Sequence, residues 1–316
     1  MQMHSDLPKK YLSYPAFPKG SRVRRLVHEA AGLVFFPLYW AMAYVVRAPG
    51  LMFRRYCACM GIRLLVKGRD IRCAYAFIVS PMDSVRYFEF DFMWRALRNV
   101  EIHSYLDVSS PRLFPLVVID RTRDLVADLV NPDKKDLPVT ISLAKSLGIA
   151  DRCRFHDQLI QSTSLEPDSF DVITSISVIE HIPDDTGAIR TMWTLLRRGG
   201  RLLISVPCAA KASEEHINID EYELLSPDKN GFVFWQRYYD EQLLRQRVFV
   251  VAGEPRRYSI YGENKAENYQ RNVARKRTDP FYPYWREPFM MGLQYDYKGR
   301  FSELAGMGVI AMEFVK

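Results

Sequence analysis

Apolar positions are most regularly patterned between residues 170 and 207, FDVITSISVIEHIPDDTGAIRTMWTLLRRGGRLLISVP. Val172, Ile173, Ile176, Val178 and Ile179 form a near-continuous run, the pattern of a parallel strand covered on both faces. Asp184 and Asp185 then offer helix N-cap oxygens. Ile189, Met192, Trp193 and Leu196 recur at i, i+3, i+4 and i+7, which turns one stripe toward a sheet. Arg197 and Arg198 are expected in a last helical turn, where the dipole favours cations, with Gly199-Gly200 ending the helix. Arg201 to Val206 returns as a second apolar strand. The unit predicts a right-handed βαβ crossover of a doubly wound sheet, whose ligands bind beyond the strand carboxyl ends. Function is therefore expected at Ser175 to Asp185 and from Pro207 onward.

The flanking pattern extends this unit into an α/β domain. Ser84 to Asn99 predicts a helix, His103 to Val108 a first strand and Ser110 to Arg123 the first crossover helix. Val126 to Leu129 follows as a strand, Lys134 to Leu147 as a helix capped by Gly148, and Arg152 to Phe155 as a short third strand. Ala209 to Asp228 has little periodicity and reads as a loop over the carboxyl edge. Tyr239 to Arg247 predicts a helix, and Arg257 to Tyr261 and Val309 to Val315 the sixth and seventh strands. The expected organisation is a doubly wound, seven-stranded Rossmann-like sheet in residues 73–316, with cap insertions near 209–235 and 263–300. A helical basic and apolar extension, residues 1–72, precedes it. Pro8, Pro15, Pro18 and Gly20 make its first 20 residues an extended arm, and Ser21 to about Arg63 is expected to be helical.

The segments SFDVITSISVIEHIPDD and LLRRGGRLLISVP resemble the fourth and fifth strand motifs of class I S-adenosylmethionine (SAM) dependent methyltransferases, of the methyltransferase type 11-like kind. That family has an Asp opening strand four, Glu-His after it, and a Pro-Gly-Gly or Gly-Gly turn into strand five; here Arg198 stands in place of the Pro. The resemblance implies SAM as cofactor, methyl transfer as the activity and a seventh strand inserted antiparallel. It also implies a GxGxxG-like loop after the first strand, where this chain has Leu106-Asp107-Val108-Ser109-Ser110-Pro111-Arg112. The Asp is kept and the glycines are absent. Ser110-Pro111 is a strong helix start, whose N-terminus still offers partial positive charge to the SAM carboxylate. The Ser109 and Ser110 hydroxyls are expected to stand in for the close backbone approach that glycine allows. Arg112 or Arg86 is expected to pair with the carboxylate, or to be an ordinary structural arginine. An acid ending strand two implies Asp128 for the ribose hydroxyls, with Asp133 second; Asp157 lies near the position implied for the adenine amine. Ser175 completes the expected cofactor residues.

Methyl transfer is an in-line displacement, and a hydroxyl acceptor must also lose a proton. His181, in the loop after strand four, has the pKa for that task and is the catalytic candidate. The alternative is that Glu180-His181 positions the loop or lines the methionine part of SAM. His216, Asp220 and Tyr222 are secondary candidates. Phe281, Tyr282, Tyr284, Trp285, Phe289, Tyr295 and Tyr297 either stack on a sugar or apolar acceptor or pack the cap. GFVFWQRYYDEQLLRQRV and RYSIYGE resemble bacterial methyltransferase-like proteins of surface polysaccharide or lipid-linked glycan assembly, which implies O-methylation of a small molecule or such a glycan precursor. The competing reading is a catalytically silent methyltransferase fold serving as a membrane-proximal scaffold. A nicotinamide or nucleotide-sugar enzyme is disfavoured, because it too requires the glycine fingerprint.

Charge divides the chain unevenly. Of the net charge of +7, residues 1–72 carry +10 (thirteen Lys and Arg against Asp6, Glu29 and Asp70), leaving −3 for the rest. With no basic stripe near the expected site, nucleic acid is not an expected partner. Five cysteines without CxxC spacing suggest neither a disulfide framework nor a metal site and fit a reducing cytoplasm. Ala30 to Val46 is a 17-residue run without charge, short of the ~20 residues a spanning helix needs, interrupted by Pro37 and flanked by arginines on both sides. It is expected either to lie in the cytoplasmic leaflet against anionic lipids, giving a peripheral inner-membrane location, or to pack on the enzyme core or a dimer partner.

Overall fold

The computed structural model describes residues 7–14, 18, 20–68 and 70–316; Pro15 of the expected arm lies outside them. After strand β1 (Lys9–Leu12) come helices α1 (Arg22–Val45), α2 (Leu51–Val66), α3 (Ile71–Val79) and α4 (Arg86–Ala96). The alternating section is β2 (Ser104–Val108), α5 (Leu113–Arg121), β3 (Val126–Val130), α6 (Asp136–Leu147), β4 (Cys153–His156), β5 (Phe170–Ile176), α7 (Asp185–Leu195) and β6 (Leu196–Cys208). Strands β7 (Ser213–Ile217) and β8 (Val233–Tyr238) follow, then α8 (Glu241–Leu244), a π-helical turn (Arg245–Phe249) and α9 (Val250–Ala252). The chain ends with β9 (Arg257–Glu263), α10 (Asn268–Thr278), α11 (Glu287–Gln294), β10 (Tyr295–Lys298) and β11 (Gly308–Val315).

The main sheet has the order β10-β9-β11-β6-β5-β2-β3-β4. Strands β2 to β6 are parallel, and β11 inserts antiparallel between β6 and β9. All seven residues of β5 are buried, as its unbroken apolar run requires. One face is covered by α2, α4, α5 and α6 around Phe53, Phe90, Tyr105 and Phe114, the other by α7 and the 241–252 segment around Met192, Ile204 and Val248. The doubly wound architecture is thus present, with an eighth strand beyond the seven expected: β10, paired antiparallel to β9.

The expected end of α7 is corrected. The helix stops at Leu195, and Leu196 to Gly200 already belong to β6. Arg197 is therefore not in a last helical turn; its Nε lies 2.6 Å from the Asp171 carboxylate. Gly199, at φ 75°, donates to the Lys316 carbonyl, so the two glycines shape a strand entry beside a register shift rather than a helix cap.

Two segments read as irregular are strands. The N-terminal arm pairs in parallel with β7, and β7 pairs antiparallel with β8, making a second sheet of three strands. No apolar alternation in Ser-Glu-Glu-His-Ile announces β7, whose one apolar residue is Ile217. Its stability comes from pairing: Glu214 and Glu215 are buried, and Arg237 of β8 holds Glu214 at 3.1 Å. The same guanidinium reaches Asp185 at 2.7 Å, and that carboxylate also receives Arg247 at 2.8 Å and the Tyr239 hydroxyl at 2.6 Å. This buried cluster ties the small sheet to the start of α7.

Residues 1–72 do not stand apart from the rest. Phe53, Cys57 and Met60 of α2 share one core with Tyr105 and Phe114, and the expected boundary falls inside α3. Fully buried Arg54 donates to the Val79 carbonyl at 2.8 Å and stacks 4.2 Å from the Trp40 ring. Gly32 of α1 sits against Tyr75 and Trp285, where a Cβ would fall 2.1 Å from the tyrosine oxygen. Phe281 and Trp285 pack on His28 and Phe289 on Tyr39, so these aromatics seat α1 on the body.

Removing the Asp185 carboxylate leaves Arg237 and Arg247 without their shared partner. Asp185→Ala is expected to lose ~3–5 kcal/mol in urea unfolding, against ~1 kcal/mol for Asp184→Ala, which deletes only the N-cap bond to Gly187.

Candidate active site

Two cavities meet above the carboxyl ends of β2, β3, β5 and β6. The smaller, about 250 Å³, lies over the turn after β2, between Asn131, Pro132 and Asp133 after β3 and Leu159, Ile160 and Gln161 after β4. The larger, about 430 Å³, is closed by Lys10 and Tyr14 of the N-terminal arm, Glu215 and Gln236 of the small sheet, and Gln270 and Arg277 of α10. Arg86, Ser177, His181 and Tyr222 line both.

The turn after β2 does without glycine by straining serine. Ser109 has φ 51°, a conformation glycine adopts freely and other residues adopt at ~1–3 kcal/mol. Its N–H and hydroxyl both donate to the Val130 carbonyl, at 2.9 and 3.1 Å. Buried Asp107 accepts from the Ser110 N–H at 3.0 Å and the Thr174 hydroxyl at 2.6 Å; burial pushes its carboxyl up to about 6. The Ser110 hydroxyl accepts from the Ile176 N–H at 3.0 Å. Both serine hydroxyls thus brace the loop rather than reach toward a ligand, and α5 begins at Leu113, not at Pro111. Ser109, Ser110 and Pro111 do line the small cavity. At the end of β5, Ser177 repeats the device with φ 48°.

Several expected residues are placed elsewhere. Arg112 pairs with Asp136, which also accepts from Asn131, so its charge is committed. Asp128 lies within β3, bonded to His156 at 2.7 Å and Arg154 at 3.3 Å, and lines neither cavity. The residue reaching the cavity from this strand end is Asp133, whose carboxylate also accepts from the N–H groups of Lys135 and Asp136. Ser175 is buried in β5 without a partner for its hydroxyl among the described residues, and Asp157 is exposed. His216 lies on β7 against Tyr11 and Phe234, outside both cavities. None of the seven aromatics from Phe281 to Tyr297 lines the larger cavity.

His181 is held with unusual definition. Its Nδ1 lies 2.6 Å from the Trp235 carbonyl, and a carbonyl only accepts; Nδ1 therefore carries the proton and Nε2 the lone pair. The ring sits against Trp235 and Tyr222, themselves stacked 5.4 Å apart, and burial lowers its pKa to about 4. Glu180 Oε1 is 3.8 Å from Nε2, Oε2 has no hydrogen-bond partner among the described residues, and burial raises this carboxyl to about 8. Behind them Glu89 of α4, fully buried, accepts from Ser177, Ser205 and Arg86. Glu89 and Trp235 carry no motif; both act through contacts made across more than 50 residues of sequence.

A methyltransferase-domain family model matches residues 103–251, the stretch from the start of β2 into α9. Two curated relatives, both ubiquinone biosynthesis O-methyltransferases, match shorter pieces. The protein of Aeromonas salmonicida is 42% identical over 45 residues (14% of this chain, 19% of that one), and that of Xanthomonas euvesicatoria pv. vesicatoria 34% over 68 residues (21% and 28%). The chain thus spans about a fifth to just over a quarter of the length of these relatives. A solved geranyl diphosphate methyltransferase in complex with SAM is similar at TM-score 0.47 and 12% identity, over 72% of this chain and 84% of that one. Residues 103–251 therefore match a methyltransferase domain. SAM is the cofactor that the methyltransferase resemblance implies, and the lining of the small cavity fits it: Asp133 would take the ribose hydroxyls, apolar Pro132, Leu159 and Ile160 the adenine faces, and the Ser109 and Ser177 turns the methionine part.

Calorimetric titration with S-adenosylhomocysteine separates the two carboxylates. Asp133→Ala is expected to weaken binding ~10-fold or more, the effect of deleting a charge-assisted hydrogen bond. Asp128→Ala is expected to leave affinity unchanged while lowering the melting temperature.

Proposed function

We propose that the chain O-methylates a small ring-bearing acceptor held in the larger cavity, a phenol or a sugar unit of a glycan precursor. The observation that carries this reading is His181, which lines both cavities and whose Nε2 is left unprotonated by the Nδ1 bond to the Trp235 carbonyl. The names of the two curated relatives support transfer to oxygen. The stacked Tyr222–Trp235 pair offers a ring platform, and the cavity's mixed lining of Lys10, Glu215, Gln236 and Arg277 suits a polar acceptor.

Bound SAM supplies an electrophilic methyl group on a sulfonium. An acceptor hydroxyl that takes up the methyl group has to lose its proton. His181 Nε2 receives it; the Trp235 carbonyl keeps the other ring nitrogen protonated, so the lone pair never turns away. Burial disfavours the resulting imidazolium. The Glu180 carboxylate, 3.8 Å away, offsets that cost once it is ionised. Arg86, which lines both cavities, is held in place by its ion pair with buried Glu89.

Turnover measured as S-adenosylhomocysteine released with catechols, phenols and monosaccharides as test acceptors checks the reading. His181→Asn is expected to cost ~10²-fold or more in kcat, well beyond any change in S-adenosylhomocysteine affinity. Because the ionised Glu180 is the competent form and its pKa is raised to about 8, the rate should rise as pH passes through 8. Glu180→Gln should abolish that rise. A His181→Asn rate equal to wild type contradicts the reading.

A further inference from the structure

Helix α1 uses only one side. Gly32 and Ala43 are buried, His28 stacks 4.4 Å from Trp285, and the Tyr75 hydroxyl donates to the Glu29 carbonyl at 3.0 Å. Val23, Val27, Val34, Leu38 and Val45 are each more than half exposed. At ~100° per residue these five fall within an arc of about 60°, and Gly32 and Ala43 lie on the opposite side. The outward stripe runs nearly the whole helix, about 36 Å at ~1.5 Å per residue.

Its surroundings are cationic. Residues 20–72 hold ten Lys and Arg against Glu29 and Asp70, and Arg22, Arg24, Arg25, Arg47 and Arg55 are exposed at and beyond the two ends of α1. No charge interrupts Ala30 to Val46. An unbroken aliphatic stripe with arginines at its ends, and no acid or hydrogen-bonding group along it, matches acyl chains below anionic headgroups. The helix is long enough to cross a bilayer, but its packed side holds it along the protein body. We propose that the outward stripe of α1 docks the protein, lying flat, on an anionic lipid surface. Such docking is independent of methyl transfer.

The full chain is tested by co-sedimentation with phosphatidylcholine vesicles, with and without phosphatidylglycerol. Wild type is expected to bind the anionic vesicles and to be released by alkaline carbonate. Val34→Glu with Leu38→Glu should reduce partition at least ~10-fold at unchanged melting temperature and S-adenosylhomocysteine affinity. Arg24→Gln with Arg25→Gln should erase the preference for anionic over neutral vesicles. The indole of Leu38→Trp, at an exposed site, should be quenched by brominated acyl chains. Absence of wild-type binding, unchanged partition of the glutamate variant or an unquenched indole in Leu38→Trp overturns the proposal. So does retention after carbonate, which marks a crossing helix, or a lipid-free dimer that the glutamate variant splits, which assigns the stripe to a second copy.

Discussion

Asp185 lies fully buried at the first turn of α7, holding two guanidinium groups and a tyrosine hydroxyl. Removing so many charges from water is unfavourable unless every one is paired, and here Arg237 answers to both Asp185 and Glu214. The cluster therefore fixes β8 against α7 to within hydrogen-bond tolerance. Trp235 is two residues from Arg237 on β8, and its carbonyl is the group that sets the His181 tautomer. The π-helical turn contributes as well, since it carries the Arg247 that reaches Asp185. A structural ion cluster thus determines which nitrogen of the candidate base is free.

The same economy appears on the cofactor side. Ser109 and Ser177 occupy left-handed conformations at the ends of neighbouring strands, and each strained residue is secured by hydrogen bonds. Glycine would adopt these turns without strain but would bring no hydroxyl. Serine gives a brace to Val130 in one turn and to Glu89 in the other. The glycine-poor loop is consequently compatible with a cavity of about 250 Å³ beside it, which removes the main physical reason for a catalytically silent scaffold.

What the sequence made legible was what local pattern encodes. The β5–α7–β6 unit follows from an apolar run, an N-cap and a helical stripe, and it located the loop holding Glu180 and His181. What stayed hidden depends on distant partners. The strand Ser213–Ile217 is stabilised by Arg237, and the arm strand Lys9–Leu12 exists only because β7 does. Asp128 and Asp133 are five residues apart; choosing between them required knowing that β3 runs on to Val130, which turns Asp128 into its neighbours. Arg112 looked free because Asp136 is one helix away. Phe281, Trp285 and Phe289 looked like part of a binding surface because the helix they seat begins about 260 residues earlier.

The most direct test of how this site works is the nitrogen NMR spectrum of His181 in the intact protein across the neutral pH range. A neutral ring is expected, with a protonated Nδ1 and an unprotonated Nε2, persisting down to mildly acidic pH because burial lowers its pKa to about 4. A proton on Nε2, or an imidazolium at neutral pH, would contradict it.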